Sequence, residues 1–253
     1  MTSHPLNLIA IGFIVGTFGT LIGAGGGFLL VPILLLLDPQ TPPQVVTGIS
    51  LAVVFFNAAS GSFAYARMGR IDYKGGIAFA IAALPGAVGG AYLTSHISRR
   101  VFDGIFGCLM IAASVYLVTT AEEKAEEKQL GPYNLWLGMA ISSGVGFLSS
   151  LLGIGGGIIH VPAMTHALHF PVHIATATSH LVLSITALAA TVIHLHNGTL
   201  DGQLGVIFWI SIGAIVGGQA GAHLSNRMKG SWILRGLAAG LGLMGIRILL
   251  TLF

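Results

Sequence analysis

The chain of 253 residues is 54% hydrophobic and only 8% charged, with a mean hydropathy of +0.88. Soluble domains carry about 25% charged residues, so this composition excludes one and reads as an integral membrane protein. The net charge of +3 does not mark a nucleic-acid binder, because Lys and Arg are spread singly and in pairs among loops, where they orient a membrane protein.

Continuous apolar runs near the ~20 residues that cross a bilayer, without period-two alternation, predict helices rather than a barrel. In chain order the expected spans are Leu6 to Ile22, Val45 to Ala66, Gly75 to Thr94, Val101 to Val118, Asn134 to Leu152, Ile174 to Ile193, Leu204 to Ala222 and Trp232 to Thr251. The first reads as retained rather than as a signal peptide, since no basic n-region precedes it and no small-residue cleavage site stands before Gly23. Two shorter apolar pieces, Phe28 to Leu37 and Ile158 to Leu168, reach about half of a ~30 Å core at 1.5 Å per residue. Each follows a glycine run, Gly23-Ala24-Gly25-Gly26-Gly27 or Gly153-Ile154-Gly155-Gly156-Gly157, and carries a proline in its second turn, Pro32 or Pro162. This pattern predicts a helix broken inside the membrane, where unwound backbone survives only if protein buries it or it lines a cavity. The single cysteine, Cys108, is expected to be a small buried thiol.

The two halves repeat at a spacing of about 130 residues. Gly23 to Pro32 lies on Gly153 to Pro162, Thr47 and Ser50 on Thr176 and Ser179, and Gly69 and Asp72 on Gly198 and Asp201. Residues 1–120 form the first repeat, 121–132 a charged linker with Glu122, Glu123, Lys124, Glu126, Glu127 and Lys128, and 133–253 the second repeat. Loop charge predicts that the repeats are inverted. Arg67, Arg70 and Lys74 follow the second span, whereas the counterpart loop around Asn197 to Gln203 has no Lys or Arg; Arg227, Lys229 and Arg235 enrich the loop before the last span. With the richest loops cytoplasmic, both termini lie outside, and Arg99 and Arg100 run against the bias. The expected fold is therefore an all-α integral membrane protein of two inverted repeats of transmembrane helices, each with a glycine-broken half-helix.

Glycine loops leading into helix N-termini concentrate backbone N–H groups and about half a unit of positive charge, which suits an anion. Candidate substrate-binding residues are accordingly Gly25, Gly26 and Gly27, with Gly155, Gly156 and Gly157. Hydroxyls on the following helix join them as donors to an oxyanion: Thr47 and Ser50 in the first repeat, Thr176, Thr178 and Ser179 in the second, with Asn57 two turns further on. Such side chains also bond their own backbone one turn back. Eight of the ten histidines follow residue 159, and His160 and His180 take the repeat positions of Leu30 and Leu51. An ionisable group at membrane depth is a functional candidate, as an anion ligand or a proton carrier. His166, His169, His173, His194 and His196 read as interfacial, and Arg100 can pair with Asp103 within one turn.

The twin Gly-x-Gly-Gly-Gly-x-x-x-Val-Pro segments, Val45 to Ser50 with Ala175 to Ser179, and the Gly69-Arg70-Ile71-Asp72 and Gly198-Thr199-Leu200-Asp201 corners resemble the sulfite exporter TauE/SafE family of membrane transporters along essentially the whole chain. The resemblance implies a multi-pass transporter of the bacterial inner membrane that moves sulfite, organosulfonates and related small sulfur-containing anions. On this reading the protein is a secondary transporter and exporter, binding its anion at the twin glycine breaks near the membrane midplane. It is no enzyme, contains no P-loop and calls for no cofactor. Its expected partners are a small sulfur-containing or other organic anion and the lipid bilayer, with proton coupling and a homodimer left open. Two alternatives stand beside it: a passive anion channel with the same site, and a membrane-embedded metalloenzyme using the second-half histidines, which the near absence of carboxylates in the spans disfavours.

Overall fold

A computed structural model describes residues 4–120, 130–225 and 231–250, although not the side chains of 117, 120, 231–237 and 240. The linker charges at 121–129 and the loop cations Arg227 and Lys229 lie outside the described residues. Among the described residues ten helices follow one another: α1 (Pro5–Ile22), α2 (Gly27–Leu37), α3 (Pro43–Arg67), α4 (Tyr73–Thr94), α5 (Arg99–Thr120), α6 (Leu135–Leu152), α7 (Gly157–Ala167), α8 (Val172–His196), α9 (Leu204–Leu224) and α10 (Ser231–Leu250). Their lengths run 18, 11, 25, 22 and 22 residues, then 18, 11, 25, 21 and 20. Among the described residues six of them, α1, α3, α4, α6, α8 and α9, are long and apolar enough to cross a membrane.

Local chemistry sets the helix starts. Pro5 and Pro43 occupy first-turn positions, where a missing N–H costs nothing. Asp72 caps α4 by accepting from the Gly75 N–H at 3.2 Å, and Asn134 caps α6 by accepting from Leu137 N–H at 3.1 Å. Asp72 also accepts from the Tyr133 hydroxyl and, through its own N–H, donates to Thr178 Oγ1 at 3.0 Å. One acidic side chain thus ties the α3–α4 corner to the start of α6. Desolvation, reinforced by the Asp72 hydrogen bond and charge, raises the Tyr133 phenol above its ordinary range, so it stays a donor.

The halves interlock rather than sit side by side. α1 runs along α9 with matching glycine rows: a side chain at Gly12 or Gly16 would strike Ile210 or Ala214, and one at Gly213, Gly217 or Gly221 would strike Ile9, Phe13 or Thr17. The order of these pairs makes the helices parallel. α4 and α6 pack the same way through Gly86 on Ser143, Gly90 on Phe147 and Gly146 on Ala83. Lipid supplies no hydrophobic drive between helices, so close backbone approach through small residues holds such pairs. α3 and α8 instead pack antiparallel, with Gly48 against His194 and Gly61 against His180. α5 and α10 are antiparallel too, Gly107 meeting Leu249 and Gly242 meeting Ser114, whose hydroxyl donates to Ala238 O at 2.6 Å. Large apolar side chains such as Ile14, Phe63, Ile81, Phe208 and Val216 face outward, as lipid-covered surface requires.

Three expectations need correction. Cys108 is exposed on the outer side of α5, not buried, because the inward face of that helix is taken by Phe102, Phe106 and Met110. His194 is not interfacial but fully buried, since Gly48 and Leu200 close over the end of α8. Asp103 pairs with Arg99 at 2.7 Å rather than with Arg100. One turn separates Arg99 from Asp103, and the same guanidinium donates to Pro39 O and Thr41 O at 3.2 and 3.1 Å, fastening the α2–α3 loop.

Candidate functional site

α1 stops where Gly23 turns left-handed (φ 85°), its N–H donating to Thr20 O at 3.1 Å, and the N–H groups of Ala24 and Gly25 both fold back on Gly19 O at 2.8 and 3.1 Å. Gly26, at φ 84°, then starts α2. The second break repeats this with Gly153 at φ 70°, Gly156 at φ 66° and Ile154 N–H on Ser149 O at 3.2 Å. These conformations cost other residues about 1–2 kcal/mol each. Among the described residues no hydrogen bond reaches the N–H groups of Gly26, Gly27 and Phe28, or of Gly156 and Ile158.

The breaks lie against each other. A Cβ at Gly27 would run into Gly153 O, and one at Gly157 into Gly23 O. The Ser50 hydroxyl donates across to Gly153 O at 2.6 Å and the Ser179 hydroxyl to Gly23 O at 3.1 Å, so each half satisfies the first carbonyl of the other half's break. Thr47 and Thr176 present their backbone to Gly153 and Gly23. Gly25 and Gly155 both border Val54, with Leu183 also beside Gly25.

The second break opens on a cavity of ≈ 10 Å³, about the room one water needs. Gly156, His160, Ser142, Ser149 and Thr186 are its polar lining and Val182 and Leu183 part of its apolar wall. Ser142 Oγ donates to Gly138 O at 2.7 Å and sits 2.9 Å from His160 Nε2. With that hydroxyl proton committed to Gly138, Nε2 is assigned as the donor to Ser142. Phe79 meets the His160 ring edge-on at 6.0 Å. The repeat puts Gly12, Gly19, Leu30 and Asn57 at the corresponding first-half positions, and there Gly19 stands directly against Gly26.

The remaining candidates form a separate group. His180 is fully buried, with Nδ1 3.2 Å from Thr176 O and Nε2 3.3 Å from Thr20 Oγ1. Thr20 Oγ1 donates to Asn57 Oδ1 at 3.2 Å, and Tyr65 donates to Thr20 O at 2.9 Å. Asn57 Nδ2 and Thr47 Oγ1 are buried without a partner. Thr178 stands on the α4 side of α8 at the Asp72 corner, away from the breaks. Sequence reasoning missed Thr20, Tyr65, Ser142, Ser149 and Thr186. Thr186 was within reach, being the repeat position of Asn57. A larger cleft of ≈ 530 Å³ lies between Gln44, Tyr92, His96 and Thr199 at the helix ends; it touches neither break. Among the described residues no three His, Cys, Asp or Glu side chains converge as metal ligands.

Six apolar helices among the described residues define an all-α, multi-pass membrane protein. The chain belongs to the family described as sulfite exporter TauE/SafE, which matches residues 8–248, and it is a transporter of small anions in the bacterial inner membrane rather than an enzyme. It is 33% identical to the probable membrane transporter protein YunE of Bacillus subtilis over 96% of both chains. It is 32% identical to a probable membrane transporter protein of Methanocaldococcus jannaschii, over 96% of this chain and 94% of that one, and 27% identical to one of Haemophilus influenzae, over 88% and 86%. No solved structure matches the chain.

Proposed function

We propose that the protein is a secondary exporter of a small sulfur-containing oxyanion, sulfite or an organosulfonate, and that the anion binds at the second glycine break. The observation that carries this reading is the cavity where Gly156 meets His160, Ser142, Ser149 and Thr186. The α7 N-terminus brings partial positive charge and unpaired N–H groups, the imidazole and hydroxyls bring further donors, and no carboxylate lines the cavity to repel an anion. An oxyanion is larger than the present cavity, so α7 withdraws from α6 to admit it. The two halves, residues 1–120 and 133–253 joined by the 121–132 linker, act as inverted repeats, with α2 and α7 as half-helices that return the chain to the side it entered from. Supporting inversion, the equivalent helices α3 and α8 pack antiparallel while α1 runs parallel to α9. Outward movement of one negative charge gains about 2.3 kcal/mol per 100 mV of inside-negative potential.

Isothermal titration of purified protein with sulfite and with small sulfonates tests the site. Native protein should bind at least one of them, and His160→Leu, which copies the first half, should weaken that binding tenfold or more. Equal binding by His160→Leu removes the site from this cavity. Uphill export into proteoliposomes separates a transporter from a passive channel, which would only dissipate the gradient.

A further inference from the structure

We infer that His180 is the protein's coupling-proton site, distinct from the anion cavity at His160. The inference rests on the exporter reading above only for what the proton accompanies.

The hydrogen-bond pattern around His180 carries it. Nδ1 faces the Thr176 carbonyl at 3.2 Å, an acceptor under all conditions, so Nδ1 bears a proton. Nε2 faces Thr20 Oγ1 at 3.3 Å, and this hydroxyl is shared with Asn57 Oδ1 at 3.2 Å. Two arrangements satisfy the chain. With the Thr20 proton on Asn57 Oδ1, Thr20 accepts from Nε2–H and the ring is an imidazolium with both protons bonded. With the hydroxyl turned toward Nε2, the ring is neutral, and the Asn57 amide turns its unpartnered Nδ2 to donate to Thr20 Oγ1. One hydroxyl rotation and one amide turn therefore interchange the two states without moving the backbone. A buried charge persists only when its donors are paired, and the first arrangement pairs both.

Room for the ring is built in: a Cβ at Gly61 would lie 2.6 Å from His180 Cδ2. From α3 the titratable neighbour is Tyr65, whose ring meets His180 edge-on at 5.5 Å and whose hydroxyl is used on Thr20 O. Arg70 lies beyond Tyr65 at the corner, bonded to Ser225. α1 has no ionisable residue along its length; on α9 His223, and on α4 Lys74, are exposed; on α7 His160 is turned to Ser142. At the α3–α4 corner Asp72 meets α8 through its N–H on Thr178, and its carboxylate accepts from Gly75 and Tyr133; the His180 nitrogens bond Thr176 O and Thr20 Oγ1 and no carboxylate.

The position also links the proton to the break. Thr20 is the last-turn residue whose carbonyl receives Gly23 N–H, and Ser179, next to His180, holds Gly23 O. Protonation changes what α8 offers the end of α1. The equivalent first-half position is Leu51, so there is one such site per chain. In the cycle, His180 takes one proton when the transporter opens it to the aqueous phase on one side, carries it as imidazolium N–H and returns it on the other side. No other bond is made or broken.

The test uses full-length protein in lipid nanodiscs with 15N-labelled histidine, followed by NMR without added anion. His180 should pass from a neutral Nδ1–H tautomer to a doubly protonated ring as the pH is lowered stepwise from neutral into the acidic range. Thr20→Val, which keeps the shape and removes the hydroxyl, should shift that midpoint by about one unit, a tenfold change in proton affinity. A ring that stays in one neutral tautomer throughout overturns the inference. Proteoliposomes loaded with 2-hydroxyethanesulfonate, which does not itself titrate in this range, give the second readout. His180→Leu should abolish the accompanying proton flux while sulfonate binding stays within about threefold of native. Native proton-to-anion ratios in His180→Leu also overturn it. Retained anion binding in His160→Leu, with His180 titrating as described, would instead sink the anion-site reading alone.

Discussion

The Ser50 hydroxyl spans the two halves of the protein to reach the Gly153 carbonyl at 2.6 Å, and Ser179 returns the same bond to Gly23 at 3.1 Å. Both carbonyls belong to backbone that has left its helix inside the protein, where an unpaired acceptor costs about 1–3 kcal/mol. Ser50→Ala should therefore lower stability toward the upper end of that range, and Ser179→Ala, which loses the longer bond, toward the lower. Thermal unfolding in a mild detergent measures both. Equal, negligible shifts would mean that other donors satisfy the carbonyls.

Gly156 and Gly69 share a left-handed backbone, at φ 66° each, but differ in surroundings. A Cβ at Gly69 meets nothing within 4 Å, whereas one at Gly156 lies 2.8 Å from Ser149 Oγ. Gly69→Ala should cost only backbone strain, about 1–2 kcal/mol. Gly156→Ala should cost more and also reduce anion binding, and Gly156→Val should abolish binding. The pair of alanine variants, compared by unfolding and by titration with a sulfonate, separates strain from occupancy of the cavity; indistinguishable results at the two glycines would leave the break no role in binding.

If the repeats are inverted, cysteines at Gly69 and Gly198 become reactive from opposite faces of the membrane. Cys108 is exposed on α5 and has to be replaced by serine first. Labelling of both positions from one face with an impermeant maleimide would contradict the arrangement.

Tyr133 and Asp72 give a pH dependence outside the spans. The phenol's value is raised in the folded protein, chiefly by desolvation and further by Asp72. A group raised on folding stabilises fully below its unfolded value, about 10 for tyrosine, and that contribution is lost as pH rises through the folded value. Native protein should thus be more stable than Tyr133→Phe at pH 7 to 9, with the gap closing above about pH 10. A gap that widens with pH would reverse the assignment.

His194 is buried with neither ring nitrogen bonded. An unpaired polar group in such surroundings costs about 1–3 kcal/mol, so His194→Leu should raise the unfolding temperature. A fall would mean that water or a second conformation supplies the missing partner.

The interruptions between α1 and α2 and between α6 and α7 were legible because glycine runs interrupt apolar sequence there and because they occur twice; Pro32 and Pro162 instead lie inside the helices that follow. The cavity was only half legible. Gly156 and His160 stood out, one by motif and one by departure from its repeat partner. Ser142 and Ser149 did not, since a serine in a membrane helix ordinarily bonds its own backbone, as Ser142 also does with Gly138. What puts Ser142 in the cavity lining is His160 of α7 packing beside it, a tertiary fact. His194 was misread for the opposite reason: closeness to a span end in sequence says nothing about Gly48 closing over it. Thr178 was grouped with the hydroxyl cluster although its repeat position is Ile49; one step along a helix turns a side chain by about 100°, and its face meets the Asp72 corner instead.

The parallel pairing of α1 with α9 has a consequence for how the chain is made. Gly12 finds its partner Ile210 only about 200 residues later, which at ribosomal speed is roughly 10–40 s after α1 has emerged. During that interval the glycine row of α1 has lipid or an insertion factor as its neighbour, while α6 finds α4 already in place. Biogenesis is therefore asymmetric even though the finished packing is nearly symmetric. A nascent chain halted after α5 has lost the partners of both α1 and α4. Two separately translated halves, supplied together, contain every surface that the covalent linker brings together.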